Sequence, residues 1–488
     1  MDTVLANQLK EISGAENVTD SPVDLEGYRL VSSHAQAFFP ELLVAPDVVV
    51  VPNSAQEISK IVSLANKHKM PVSVRAQATN HEGPNIPLHG GILLDMSFMD
   101  KIEKIDEENM VVIAAAGCST NKLFTALDER GLAFPIRPWF DPHMQLGAYI
   151  SSNGTGDYSN FFGTVPQQVV GLEVVLATGE IVKLGSWAYP NGYGAWNRFP
   201  GGPDLIGLFS GSVGTLGIIT KVALRLIKKR EHIWYRAFGW PREEAHEMVK
   251  GIHEYFGYGV HNISLHNCWA YHQLPKMVEW LKGQNIYFIV NLNQVGEDEE
   301  ELRLKEKHIT KISKKNGGLD LGEEVCKIAL GPPWYLFNLS NLKGKSRPVI
   351  KGEIIGRGRQ GYNSILFYSY IPVLKFPDFW DMYEDLANKY RLSTPERGPI
   401  LYCWGIPPCA LNPFPVIPFR RNDPEEVTRA REFYGELVRN FLKQGGNPYC
   451  IGAAWPKEVL SNQGSAYDLV RKLKETLDPN NILNPGQI

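Results

Sequence analysis

The 488-residue chain lacks most of the features that would tie it to a metal, a membrane or a nucleic acid. Its six cysteines, Cys118, Cys268, Cys326, Cys403, Cys409 and Cys450, are scattered and form no C-x-x-C pair. A disulfide framework is therefore not expected, nor is a thiolate zinc or iron–sulfur site. No apolar run approaches the length of a membrane span. The opening MDTVLANQLKEISG has neither the basic nor the apolar region of a secretory signal, so a cytoplasmic protein without a membrane partner is expected. Charge of either sign is not in excess: 50 basic and 53 acidic residues give a net charge of -3, which provides no footprint for nucleic acid. All 12 histidines lie at or before His308, so the rest of the chain offers none as ligand or attachment point.

What is present is the composition of a globular protein, 43% apolar and 21% charged. The length is too great for one ordinary core and predicts two or three domains. PDVVVVP reads as a buried strand. Ser54 and Glu57 form an S-x-x-E capping box before an amphipathic helix running to about Lys69. Pro71 to Arg75 and GGILLDM are the next strands, giving a β-α-β unit whose loop, VRAQATNHEGPN, follows a strand end where such folds place ligands. MVVIAAAG is a strand, and NKLFTALDERG a helix stopped by Gly131. LEVVLATGEIVKLG is a hairpin turning at Thr178-Gly179. Near Lys229 the character changes. Residues 231–436 alternate helix and strand and read as a second domain, and YDLVRKLKETLDPNNILNPGQI is a helix that stops at Asp478-Pro479.

Individually the polar loops say little. A run such as Ala76 to His81 can present successive backbone N–H groups to a diphosphate, but an ordinary connection between strands explains it as well. The glycines around Asn153 to Gly156 and in Gly211 to Gly217 form neither a Walker loop nor a dinucleotide fingerprint. Four histidines, His246, His253, His261 and His266, have no ligand spacing and read as helix-face and loop residues rather than a metal site.

The order of the pieces carries more. PDVVVVPNSAQEI, PVSVRAQATNHEGPNIPLHGGILLDMSFMDKI, SSNGTGDYSNFFGTVPQQVVGLEVVLATGEIVKLG and DLIGLFSGSVGTLGIITKVALRL together resemble the FAD-binding domain of the vanillyl-alcohol oxidase/p-cresol methylhydroxylase (PCMH-type) flavoprotein superfamily. LKETLDPNNILNPG resembles its closing motif, and DPEEVTRAREFYGELVRNF the helix before it in the vanillyl-alcohol oxidase/4-cresol dehydrogenase branch. FFGTV and GSVGTLGIIT are more similar to FAD-linked D-lactate and glycolate dehydrogenases.

The resemblance implies an α+β fold. A two-subdomain FAD-binding domain spans 1–228, an α+β cap spans 229–439, and a segment 440–488 returns to the first domain. It implies that Arg75, Ala76, Gln77, Ala78, Thr79, Asn80 and His81 cradle the FAD pyrophosphate. Gly147, Ser151, Asn153, Gly154, Gly156, Gly163, Thr164, Gly217 and Ile219 would complete the cofactor site. Alanine stands at 76 and 78 where relatives carry glycine, which matters if either site needs positive φ. Thr79 stands where one branch has a linking histidine, so FAD is expected to be noncovalent, with His81 or a cap tyrosine, Tyr368 or Tyr370, as alternative attachment points.

On the substrate side, Tyr449 keeps one phenol-binding tyrosine, while Cys450, Glu82 and Thr164 replace the branch's arginine, second tyrosine and aspartate. The E-H-G metal motif of the hydroxy-acid branch is absent. Tyr449, Tyr368 and Glu353 are the candidate catalytic residues, and Arg357 and Arg359 could clamp a carboxylate or form a solvated turn. The expected activity is hydride removal from an alcohol or benzylic carbon of a small, ring-bearing or bulky substrate. The alternatives are a 2-hydroxy-acid dehydrogenase with an electron-acceptor protein, and a flavin-less binding or assembly subunit. A homodimer or larger assembly is expected from the resemblance.

Overall fold

The computed structural model describes residues 3–29, 39, 42–80, 82–138, 144–230, 232–272, 274–334, 362–394, 398–450, 452 and 456–488. The chain divides into two compact units. Met1–Thr155, Val165–Lys228 and Cys450–Ile488 form the first, and Gly156–Thr164 with Lys229–Tyr449 the second.

The first unit holds two main sheets. One contains β1 (Val18–Thr19), β2 (Val48–Val50), β3 (Val72–Arg75) and β4 (Ile92–Asp95) in the order β1-β2-β4-β3. The pairs β2–β4 and β3–β4 are parallel, so a crossover must join β2 to β3. The helix Ala55–His68 supplies it, burying Ile58, Ile61, Val62 and Ala65. Its start is the capping box read from the sequence: the Glu57 amide donates to Ser54 Oγ at 3.2 Å, and Glu57 Oε2 accepts from the Asn53 amide at 3.1 Å. The other sheet is antiparallel, with β5 (Ile102–Asp106), β6 (Val111–Ala115), β8 (Val169–Val175), β9 (Ile181–Gly185) and β10 (Ile218–Arg225) in the order β5-β6-β10-β8-β9. A small pair, β7 (Leu132–Ala133) and β11 (Ile227–Lys228), lies apart from it. The β8–β9 turn sits on the crossover helix. A Cβ on Gly179 (φ +86°) would fall 1.9 Å from Ser63 Oγ, so the turn needs glycine for space as well as for φ.

The closing motif ties this unit together. The helix Ser465–Leu477 ends at Asp478, whose carboxylate accepts from the amides of Ile482 (3.0 Å) and Leu483 (2.8 Å) and pairs with Lys474. Lys474 Nζ also donates to the carbonyls of Thr215 (2.8 Å) and Leu483 (2.7 Å). Burial pulls the Lys474 ammonium below the ordinary lysine range, and Asp478 opposes that pull. Next, Asn484 donates its amide to Val72 O (2.8 Å) and its side-chain Nδ2 to Val213 O (2.7 Å) and Pro84 O (3.0 Å).

The second unit is built on a nine-stranded sheet. Its strands are β12 (His232–Trp240), β13 (Asn262–Asn267), β14 (Phe288–Gly296), β15 (Leu319–Leu321), β16 (Tyr362–Leu366), β17 (Ser369–Pro372), β18 (Ile400–Ile406), β19 (Ala410–Arg420) and β20 (Asn447–Pro448). The order is β15-β12-β14-β13-β18-β19-β17-β20, with β16 also paired to β19. One face packs on helices: Phe288 meets Phe376 and Trp380 edge-on, and Trp240 Nε1 donates to Asn316 O at 2.8 Å. Asp423 caps the helix Pro424–Lys443 through the amides of Glu425 and Glu426. Among the described residues no helix is long and apolar enough to cross a membrane.

Lys474→Met would leave Asp478, 1% exposed, as a buried carboxylate without its cation. Removing one partner of a buried pair typically costs about 3–5 kcal/mol. Urea denaturation should show the transition of the first unit at clearly lower denaturant, with Lys474→Arg intermediate.

Candidate functional site

Two surfaces collect the residues singled out by sequence, one in each unit. In the first unit β3 ends at Arg75 and the chain continues as a loop. Arg75 Nη1 donates to Tyr28 O, and the guanidinium lies over the Tyr28 ring at 5.3 Å. Tyr28 in turn donates to Asp95 Oδ2 at 2.8 Å, and burial together with that bond pushes its phenol up to about 12. Among the described residues, the backbone amides of Ala76, Gln77, Ala78, Thr79 and Asn80 find no acceptor. Five successive N–H groups without an acceptor among the described residues are a donor set that suits an anion.

Ala78 has φ +52° and is buried. The alanine thus occupies the left-handed region that glycine adopts freely, at a cost of roughly 1–2 kcal/mol. Further along, Asn80 Oδ1 accepts from the Glu82 amide at 2.8 Å, and Asn80 Nδ2 approaches Cys450 Sγ at 3.6 Å. A Cβ on Gly452 would lie 1.8 Å from Glu82 O, so the returning C-terminal segment runs directly against this loop. Neither side-chain amide atom of the buried Asn85 has a partner. Free amides and an unsatisfied carboxamide in one loop suit a polar, anionic group such as a diphosphate.

The other residues assigned to the cofactor fall in three places. Gly147, Ser151, Asn153 and Gly154 belong to the helix Leu146–Ser151 and the turn after it. The Ser151 carbonyl accepts from the Val213 amide at 2.9 Å, and Asn153 has φ +57°. Close packing accounts for three glycines: a Cβ would fall 2.7 Å from Ala116 Cβ at Gly147, 1.9 Å from the Tyr149 ring at Gly154, and 2.6 Å from Val174 at Gly217. Ile219 is a buried residue of β10. Gly156, Gly163 and Thr164 group with the second unit instead. There Asp157 accepts from Asn262 Nδ2 at 3.2 Å, and Asn160 Nδ2 donates to Val260 O. His81, Glu353, Arg357 and Arg359 lie outside the described residues.

In the second unit an aromatic group gathers on the other sheet face, which near β12 and β14 is also covered by helices. The Tyr449 amide donates to Tyr368 O at 3.2 Å, and the two rings lie 5.5 Å apart. Tyr370 meets Tyr449 edge-on at 5.7 Å, and Tyr368 tilts against Phe414 at 4.2 Å. Tyr368 falls in the break between β16 and β17, and its ring and that of Tyr370 both reach Tyr449. Strand register carries the face onward. Asn412 and Phe414 stand opposite Trp404 and Tyr402, and these stand opposite Ser264 and His266. Asn291 is opposite Ser264, and Asn293 is opposite Asn262.

The sequence reading missed this polar run. NISLHN and VNLNQV alternate polar and apolar residues, so Asn262, Ser264 and His266 share one face with Asn291 and Asn293. The signal was a period of two in buried strands. His266, read as an ordinary loop histidine, is a fully buried strand residue whose imidazole burial depresses to about 3, so it is neutral at physiological pH.

Comparison with known proteins adds the following. A family described as FAD binding domain matches residues 46–185, and one described as FAD linked oxidases, C-terminal domain, matches 351–488. The chain is 26% identical to glycolate oxidase subunit GlcD of Bacillus subtilis, covering 99% of this chain and 96% of the relative. It is also 26% identical to the mitochondrial D-lactate dehydrogenase [cytochrome] of Arabidopsis thaliana, over 99% of this chain and 80% of that one. Among solved structures, substrate-bound p-cresol methylhydroxylase superposes with a TM-score of 0.83 at 20% identity, covering 99% of this chain and 96% of the other. The 4-ethylphenol oxidase of Gulosibacter chungangensis gives 0.81 at 16%, with the same coverage.

The backbone at Ala78 generates a test. Ala78→Gly should hold flavin at least as well as the parent, because it removes the strain. Ala78→Val places a β-branched residue at positive φ and should raise the flavin Kd about tenfold or more, measured by fluorescence titration of deflavinated protein.

Proposed function

Because the chain belongs to the FAD-dependent oxidoreductases of the vanillyl-alcohol oxidase/p-cresol methylhydroxylase superfamily, we propose that it oxidises an alcohol or benzylic carbon of a ring-bearing substrate. Bound FAD supplies a two-electron acceptor. With FAD as the cofactor, the flavin-less reading has no ground. The amides of Ala76 to Asn80 fit the pyrophosphate and would hold it through backbone donors. Thr79 offers no attachment chemistry, which supports a noncovalent cofactor, with His81 or a cap tyrosine as the alternative attachment points.

The observation that carries the substrate reading is the packing of Tyr449 with Tyr368 and Tyr370 on an uncharged aromatic face. Aromatic rings bind a substrate ring by offset or edge-on stacking. The Tyr449 and Tyr368 hydroxyls are assigned to hold the oxygen of the reacting group, orienting the C–H bond to be broken and stabilising charge that develops on that oxygen. A 2-hydroxy acid is the second reading, favoured by the names of the two relatives that align along nearly the whole chain. It requires a cation for the carboxylate, for which Arg357 and Arg359, outside the described residues, are the candidates.

Anaerobic flavin bleaching distinguishes the two. Aryl carbinols should reduce the bound flavin, and D-lactate or glycolate should not; the reverse pattern would overturn the first reading. Tyr449→Phe should lower kcat/KM by about 10–100-fold with an unchanged FAD-to-protein ratio. On acid precipitation the yellow colour should stay in the supernatant. Colour in the pellet would mean a covalent link and point to His81 or a cap tyrosine.

A further inference from the structure

Where the cofactor loop meets the returning C-terminal segment, two contacts hold the two stretches of chain together. Asn80 Nδ2 donates to Cys450 Sγ at 3.6 Å. Two residues further along each stretch, Gly452 lies so close to Glu82 that a Cβ on it would fall 1.8 Å from Glu82 O. Glycine alone allows that approach, so the second contact is steric, while the first is directional. Asn80 also shapes the loop itself, because its Oδ1 accepts from the Glu82 amide at 2.8 Å. Its own backbone N–H finds no acceptor among the described residues and ends the run that begins at Ala76. One residue thus serves three places. Its main-chain N–H is available to the anion, its side-chain oxygen holds the loop, and its side-chain nitrogen holds the C-terminal segment.

The residue before Cys450 is Tyr449, which carries the substrate-side hydroxyl in the proposed function. A trans peptide fixes its Cα about 3.8 Å from that of Cys450. The Asn80–Cys450 bond therefore acts one peptide unit from Tyr449. At its other end it acts on a residue whose N–H belongs to the donor set for the cofactor. A thiol sulfur is a weak acceptor, so the bond contributes direction rather than much stability. Direction is what the reaction needs, since a misplacement of about 1 Å can cost roughly 100-fold in rate.

We propose that Asn80 is a positioning residue that couples the pyrophosphate loop to Tyr449, so that cofactor and substrate-side hydroxyl take their places together. This rests on the proposed oxidation of a ring-bearing carbinol, in which Tyr449 holds the reacting oxygen. It adds a residue that acts through Cys450 rather than on the substrate. Loss of the Nδ2 donor leaves the amide run intact and removes one hold on Cys450. Loss of Oδ1 loosens the loop that carries the run. The two ends of one carboxamide therefore separate into two measurable effects, one on rate and one on flavin affinity.

The test uses the full-length protein and an aryl carbinol such as benzyl alcohol. Asn80→Ser keeps an oxygen for the Glu82 amide but lacks the arm that reaches Cys450, and Asn80→Ala keeps neither. The flavin Kd, from fluorescence titration of deflavinated protein, should stay within about threefold of the parent in Asn80→Ser and rise about tenfold in Asn80→Ala. With FAD bound, anaerobic flavin reduction at saturating carbinol should slow about tenfold in both Asn80→Ser and Cys450→Ala. Cys450→Ser, whose hydroxyl can accept from Nδ2, should recover part of that loss. The deciding comparison adds Tyr449→Phe. In the Asn80→Ser background that change should cost about threefold less than in the parent, or smaller still, because the hydroxyl it removes is already misplaced. Each variant is first checked for FAD content and melting temperature. If Asn80→Ser fails to fold, Cys450→Ala carries the same comparison from the other end of the bond. Losses that simply multiply, or reduction rates unchanged in both Asn80→Ser and Cys450→Ala, would overturn the inference while leaving carbinol oxidation in place. Failure of aryl carbinols to reduce the parent flavin would instead overturn the underlying function, and this inference with it.

Discussion

Asn484 is the residue on which the geometry of the first unit turns. One side chain and one backbone amide reach Val72 at the start of β3, Pro84 beyond the cofactor loop and Val213 in the glycine-rich loop. Just ahead of it, Lys474 and Asp478 hold the turn that presents it and reach Thr215 in that same loop. The cofactor loop is short of internal hydrogen bonds, since its amides from Ala76 to Asn80 find no acceptor among the described residues. Such a loop keeps its shape only if its two ends are fixed, and β3 fixes one end while Asn484 fixes the other. The strained φ values of Ala78 (+52°) and Val213 (+46°) fall in the two segments held this way. Strain of that kind persists where the surroundings over-determine the backbone.

Much of this unit could be read in the sequence because its signals are local. Ser54 and Glu57 announce a helix start whatever surrounds them, and Thr178-Gly179 announces a turn. The closing motif could be recognised but not explained, since Asn484 acts on residues some 400 positions away. The left-handed Ala78 was hinted at only by the glycine that relatives carry there, because alanine itself gives no hint of positive φ. In the second unit, the tyrosine group depended on register between β17 and β20, which periodicity alone does not supply. The alternation in NISLHN was visible, but an asparagine or histidine in a buried strand was read by its usual place on the surface. Propensity lost there to tertiary context.

The two kinds of relative divide along the same line. Fold and cofactor are shared by phenol-oxidising and hydroxy-acid enzymes alike, and identities of 26% or less leave the substrate to individual side chains. On the proposed reading those side chains are hydroxyls and rings. A neutral face binds through shape and directed hydrogen bonds rather than long-range attraction, so selectivity should be insensitive to ionic strength. The neutral imidazole of His266 belongs to the same pattern, since burial removes its charge instead of pairing it.

The discontinuity of the first unit has a consequence for biosynthesis. Its three segments end at Thr155, Lys228 and Ile488, with Gly156–Thr164 of the second unit between the first two and Lys229–Tyr449 between the last two. On the ribosome, β3 and its loop emerge long before Asn484 exists to secure them. The second unit is continuous from Lys229 to Tyr449 apart from one short segment already made, and so it can fold while the first is still incomplete. Flavin capture then becomes a late event in the life of the chain, following release rather than accompanying elongation. A polypeptide interrupted before residue 484 would carry the entire FAD binding match and lack the Asn484 bonds that secure its loop.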